Sequence, residues 1–326
     1  MSAVGRVWDR QRVWGLACQV LLLAALAAVP FVVQVSYVMD VLIITALYVG
    51  LAVSYDLVVG YVGSLSLAQP AFFGIGAYTV ALLSTKLGLP TAVNLLAAAL
   101  LPGLAALAVG VPSFRLSQYS FAIGTLGFAT VAQLLAQNWI ELTEGPMCVT
   151  RIPKASIGVP FSTLPAFYFL IIAAVLGELL FVRQLVRSRI GRAFVAVREN
   201  EPLAASMGVN PLKYKLIAFG LSAALAGIMG GLYAYYINVV CPTELSLLQT
   251  LTLLVILFIG GSGSLRGVVL GAIVGIVVPE VLRVAVAWRL VLFGLVLLLI
   301  INFFPDGIEG MLRKIERRLE RASAGG

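Results

Sequence analysis

Apolar runs of 18 residues or more recur along the whole of this chain, and they leave it essentially one class of fold. A run of that length spans the roughly 30 Å hydrocarbon core of a bilayer as an α-helix. A helix can do so because it satisfies its own backbone N–H and C=O groups where no water is available. A transmembrane β-barrel would show short segments of alternating hydrophobicity instead, and these are absent. Of the 326 residues 61% are apolar and 11% charged, with a mean hydropathy of +1.05, whereas an average soluble domain is about 25% charged. The expected fold is therefore all-α: a polytopic transmembrane helical bundle forming one domain over 1–326.

Ten spans are placed at about 13–33, 39–58, 66–86, 89–111, 117–137, 164–183, 213–237, 245–260, 267–286 and 289–304. A cleaved signal peptide competes for the first, but the apolar stretch is long for a signal core and no small-x-small site follows it. Ten crossings put both termini in the cytoplasm. Of the 22 Lys and Arg, 17 then lie inside and five (Lys86, Arg151, Lys154, Arg283, Arg289) outside, the asymmetry the positive-inside rule requires. The net charge of +8 accordingly reflects orientation and contact with membrane lipid, with no call for nucleic acid as a partner.

The longest charge-rich interval between spans is RQLVRSRIGRAFVAVRENEPLAASMGVNPLKYK, residues 183–215. Its spacing predicts a short helix over 192–198 with apolar Phe194, Val195 and Val197. Pro202 then restarts the chain in a second helix over 203–207, with Glu201 at the positive end of its dipole and Gly208 as its stop. A solvated loop that only fixes topology is one reading. The other is a docking element, because small Ala204 and Ala205 followed by Gly208 allow another protein surface to come close. The pattern Glu201-x-x-Ala204-Ala205-x-x-Gly208 resembles the coupling loop of bacterial ABC importer permeases. The larger block GRAFVAVRENEPLAASMGVNPLKYKLIAFGLSAALAGIMGGLYAYY is similar to the permease subunits of branched-chain amino acid importers. The resemblance implies a cytoplasmic coupling loop at 184–212, in which Arg192, Arg198, Glu199, Glu201, Ala204, Ala205 and Gly208 serve an ATPase subunit.

A second informative stretch, GYVGSLSLAQPAFFGIGAY at 60–78, collects four glycines and Pro70 within an apolar region. Tight helix packing is one explanation. A broken helix lining the translocation path is the other, with Ser64, Ser66 and Gln69 beside a break at Pro70. Gly63-Ser64-Leu65 recurs as Gly263-Ser264-Leu265, suggesting two repeats of the same orientation. In QYSFAIGTLGFATVAQLLAQNW, the residues Thr130, Gln133 and Gln137 share one helical face, and Thr125 adds a polar group. They serve either interhelical hydrogen bonds or a hydrophilic lining. Both stretches, and IGGSGSLRGVVLGAIVG, resemble the same permeases.

The long interval 138–165 is expected to face an extracytoplasmic binding protein. After Gly145-Pro146-Met147 the chain departs from the family, reading Cys148-Val149-Thr150-Arg151. Cys148 and Cys241 share the outer, oxidising side of this topology, which motivates a disulfide between them. The tail 306–326 reads as a basic amphipathic helix lying on the cytoplasmic membrane surface.

The chain has no histidine and no Gly-x-x-x-x-Gly-Lys-[Ser/Thr] loop, which removes the usual proton relay and zinc ligands and a phosphate loop for ATP, and no metal site, cofactor or catalytic residue is expected. The resemblance implies that ATP hydrolysis falls to other subunits. The resemblance implies an inner-membrane importer subunit for branched-chain amino acids or related solutes. Its implied partners are a second homologous permease chain, two ATP-binding subunits and a solute-binding protein. The alternative is a stand-alone carrier coupled to protons or ions through an intramembrane acid. Glu178 is the best placed for that, although its position near a helix end favours a local ion pair.

Overall fold

The computed structural model describes residues 36–115, 117–157, 159–160, 163–281 and 307–311. The expected spans 13–33 and 289–304, and most of the tail, lie outside them. Eight long helices and a pair of short ones follow in order. Helix α1 (Ser36–Asp56) runs on into a π-helical turn (Leu57–Tyr61), and α2 is Gln69–Lys86. Next come α3 (Thr91–Ser113), α4 (Gln118–Asn138) and α5 (Leu164–Arg187). The short helices are α6 (Arg189–Glu199) and α7 (Glu201–Ser206), and the chain continues with α8 (Pro211–Ile237), α9 (Leu247–Gly260) and α10 (Leu265–Val281). Among the described residues the only strands are two-residue β1 (Ser156–Ile157) and β2 (Val159–Pro160), an antiparallel pair in the long loop before α5.

Among the described residues five helices are long and apolar enough to cross a membrane: Ser36–Tyr61, Thr91–Ser113, Gln118–Asn138, Leu164–Arg187 and Pro211–Ile237. Helix α9, with 14 residues, is shorter, and at 1.5 Å per residue it reaches about 21 Å. Helix α1 lies at the centre, with Ile43, Ala52, Val53 and Tyr55 fully buried. Helix α3 lies at the rim, where Leu96, Leu100, Leu104, Leu107 and Val111 line one exposed face. Their spacing of three and four residues makes a stripe for lipid or another subunit rather than for this core.

Small residues bring the central helices together. A methyl group on Gly76 would overlap the backbone of Gly227, one on Gly227 the carbonyl of Ala98, and one on Gly230 the carbonyl of Phe73. Helix α8 thus meets both α2 and α3 almost backbone to backbone, which dispersion and lipid exclusion favour inside a bilayer. Gly260 and Gly267 do the same for α9 and α10. Phe219 on α8 closes the layer, its ring edge-on to Phe72 at 5.2 Å and to Phe114 and Phe121 at 5.6 Å.

The break in the 60–78 stretch is real, but Pro70 does not cause it. Pro70 sits in the first turn of α2, where its missing N–H is not needed. The interruption comes earlier, as the π turn and a non-helical run over 62–68. The freed polar groups find partners in protein, as they must at that depth. The carbonyl of Leu67 accepts from Thr250 Oγ1 at 3.3 Å, that of Ser66 from Tyr55 Oη, and that of Gly63 from Gln118 Nε2 at 2.9 Å. The Leu67 N–H donates to Thr125 Oγ1 at 3.0 Å.

Candidate functional site

The charge-rich interval folds into two short helices between α5 and α8. Ser188 caps α6 by accepting from the N–H groups of Ile190 and Gly191, and Asn200 caps α7 by accepting from Leu203 N at 3.0 Å. These caps supply partners that first-turn N–H groups otherwise lack. Pro202 is in the first turn of α7, and Gly208, at φ +84°, provides the left-handed stop that a β-carbon would resist. Asn210 then caps α8. Phe194 and Val197 are buried, whereas Val195 faces outward.

Ala204 is only 5% exposed. The close approach that its small side chain permits is therefore made within this chain, not to an outside surface. The outward edge of α7 carries Leu203 and Met207, 60% and 80% exposed, together with Ala205. Composition had drawn attention to the alanines; the large apolar neighbours are what a second protein would meet. Glu201 is held by Lys215 at 2.6 Å, Arg192 caps the Arg187 carbonyl at 3.3 Å, and Glu199 stays at the surface.

Arg198 points the other way, into the bundle. Its Nη1 donates to the carbonyl of Gly60, and its stem lies against Gly63, where an added methyl would be 3.0 Å from Cγ. A methyl on Gly263 would be 2.5 Å from Nη1. The two Gly-Ser-Leu turns, 200 residues apart in sequence, thus pack against one arginine side chain, Gly63 on its stem and Gly263 on its head group. Gly63 and Gly263 have nearly equal φ of +77° and +81°.

The polar residues expected along a path divide into two groups. Thr130 and Gln133 line a cavity of about 150 Å³ with Leu126, Ala129, Leu245, Leu247 and Thr250. Gln137 lies one turn beyond Gln133 on the same helix and is half-buried. The second group is buried within the bundle. Gln69 is fully buried between Ser54 Oγ, to which it donates at 2.9 Å, and Ser222 Oγ, from which it accepts at 3.1 Å. Ser64, Ser66 and Thr125 are likewise buried, with Ser66 and Thr125 bonded to backbone at the break. Hydrogen bonds of this kind between helices hold the bundle together.

Above the cavity, Glu244 joins three elements. Tyr233 Oη donates to its Oε1 at 3.0 Å and Gln249 Nε2 to its Oε2 at 3.0 Å, while Tyr48 donates to Gln249 at 2.6 Å. Burial pushes the Glu244 carboxyl above its ordinary range, and the bonds from Tyr233 and Gln249 oppose that shift. Nothing in the sequence marks this network, since its members are spread over two hundred residues.

Glu178 departs from expectation. It is 4% exposed within the bundle, and among the described residues it has no ion pair and neither carboxylate oxygen has a hydrogen-bond partner. Its neighbours include Gly50 and Met229.

On the expected outer side, Cys148 and Cys241 are joined, with Cα atoms 4.4 Å apart. Beside them Val149 and Val240 exchange two backbone hydrogen bonds of 2.9 and 3.0 Å. Asn238 Nδ2 donates to the Ile152 carbonyl at 2.7 Å. The long loop is thereby fastened to the C-terminal end of α8.

Comparison with known proteins adds three findings. The family described as branched-chain amino acid transport system / permease component matches residues 37–301. The high-affinity branched-chain amino acid transport system permease protein LivM of Escherichia coli is 33% identical over 331 aligned positions, covering 94% of this chain and 77% of that protein. LivH of Salmonella typhimurium is 26% identical, covering 81% of this chain and 91% of that protein. No solved structure matches the chain.

Proposed function

Because the chain belongs to the branched-chain amino acid transport permease family, we propose that it moves branched-chain amino acids or related small organic solutes as one permease subunit of an ABC importer. It is a multi-pass membrane protein with no hydrolytic chemistry of its own in this reading. The bacterial inner membrane is its expected location. A second, related permease chain completes the path, two ATP-binding subunits supply the energy, and a binding protein delivers solute from outside.

The observation that carries the energetic part of this reading is the α6–α7 pair. It is a small, capped, two-helix foot between long spans, packed inward through Phe194, Val197 and Ala204, with Leu203 and Met207 left bare. Exposed apolar side chains on an otherwise charged segment mark a contact surface. The cavity lined by Thr130, Gln133 and Thr250 supports a half-path along α4 and α9. The cysteine-linked outer loop supports a firm landing surface for the binding protein.

The test is purification of the tagged chain in mild detergent from its native host, followed by reconstitution. Two ATP-binding subunits and a second permease chain are expected to co-purify, and leucine uptake into vesicles is expected to require ATP. Uptake against a gradient by this chain alone would overturn the reading.

A further inference from the structure

We infer that Arg198 is a positioning residue for transport: its side chain bonds the coupling foot to the π turn at Gly60 and packs against both Gly-Ser-Leu turns, stem on Gly63 and head group on Gly263, so that movement of the foot reaches two separate parts of the bundle together. This rests on the coupling reading of α6–α7 given above.

Three observations meet at this residue. First, Arg198 belongs to the last turn of α6, immediately before the Asn200 cap of α7. Any rotation of α7 therefore acts on it through two residues of chain. Second, its head group donates to the Gly60 carbonyl, in the π turn that ends the central helix α1. A π turn offers carbonyls that lack a regular helical partner, so this bond fills a need already present in the fold. Third, Gly263 is against the same guanidinium, and it opens the turn that leads into α10. Asp56, on the last turn of α1, accepts from Gly263 N at 2.8 Å and lies within electrostatic reach of Arg198.

Only glycine fits at these positions. Gly63 and Gly263 adopt positive φ, and a methyl at Gly60 would overlap Asp56 Oδ1. The turns are thus bare where the arginine arrives. A planar group with five donors can serve several acceptors in one place, which a lysine ammonium on its flexible stem does less well. No other residue of α6 or α7 reaches both turns among the contacts described. The residue keeps much of its own surface exposed, so contact with an ATP-binding subunit has to be separated experimentally from the inward role.

The experiment uses the whole importer in lipid nanodiscs and proteoliposomes, with R198A, R198K and L203D. It measures the ratio of ATP-binding subunits to permease, the ATP hydrolysis rate, and solute moved per ATP. R198A is expected to retain its ATP-binding subunits and hydrolyse ATP, while solute moved per ATP falls about tenfold or more, the scale expected for losing a charged hydrogen bond. R198K is expected between R198A and wild type. An unchanged ratio of solute to ATP in R198A overturns the proposal. So does loss of the ATP-binding subunits from R198A, because Arg198 would then be part of the docking surface. Should R198A not be recovered from membranes, R198K decides, and wild-type transport per ATP in that variant overturns the idea. L203D tests the reading underneath: it is expected to shed the ATP-binding subunits. If L203D assembles and transports normally, the foot is not the coupling element, whatever Arg198 does.

Discussion

Asp56 Oδ1 accepts a hydrogen bond from the backbone N–H of Gly263 at 2.8 Å, joining residues 207 positions apart. The contact fixes the C-terminal end of the central helix to the turn between α9 and α10. It also explains the glycine at position 60, whose missing side chain leaves room for the carboxylate. The other oxygen, Oδ2, has no hydrogen-bond partner among the described residues, and the nearby charge of Arg198 offsets part of the cost of burial.

Replacing Asp56 should therefore separate the acceptor from the charge. D56N keeps an oxygen for Gly263 and is expected to fold and insert near wild-type levels. D56A leaves a buried N–H unsatisfied and is expected to lose about 2 kcal/mol. Unfolding of the purified variants in detergent checks this, and equal losses in both would show that charge, not the hydrogen bond, is what matters.

The glycine contacts between α2, α3 and α8 make a second prediction. G76A or G227A forces a methyl into a neighbouring backbone that has no rotamer with which to yield. A loss of about 1–3 kcal/mol is expected for overpacking of this sort, with G76L not recovered as a monodisperse protein. G127A is the control: nothing lies within 4 Å of a methyl there, and alanine is the better helix former by about 1 kcal/mol. Size-exclusion profiles and melting temperatures of these variants read the difference.

How much of this was legible beforehand depended on whether a signal was local. The two-helix foot is written in adjacent residues, since Pro202, Gly208 and Asn210-Pro211 punctuate it. The structure extends those helices only by a few residues. The helical face Thr130–Gln133–Gln137 follows from periodicity alone. Pro70 misleads, because proline breaks a helix only in its interior, and here it starts one. Glu178 misleads too: five residues from Arg183 along a helix is not the same face as three or four. The inward turn of Arg198 and the Tyr48–Gln249–Glu244–Tyr233 network were not legible, because their partners come from distant spans. The Gly-Ser-Leu repeat hinted that two remote turns were alike, but not that both pack against Arg198.

The cysteines can be counted directly. With Cys148 and Cys241 joined, one of the three cysteines should alkylate in unfolded, unreduced protein, and all three after reduction. Reduction, or C148S/C241S, frees a loop spanning 93 residues of chain, and a loss of about 2–4 kcal/mol is expected for a bridge of this kind. Capture of the binding protein should weaken more than ATP hydrolysis without it, because the bridge is at the loop and far from α7. Three reactive thiols before reduction would remove the bridge from the account.

Glu178 decides between the two transport readings. A carrier coupled to ions or protons needs a deep acid that gains and loses charge during each cycle, and among the described spans this is the acid with both oxygens unpartnered. A subunit driven by ATP has no such need. The position is then a packing problem, in which a side chain of this size fits between Gly50 and Met229. E178Q preserves size and removes titration, so the importer reading expects ATP-driven uptake within about twofold of wild type, an effect under 0.5 kcal/mol. E178A should instead lower stability by leaving a cavity, with a cost of roughly 1–3 kcal/mol. If E178Q abolishes uptake while the protein remains folded and the ATP-binding subunits still hydrolyse ATP, titration at this site is part of the cycle. Energy from hydrolysis would then be insufficient to describe how this chain works.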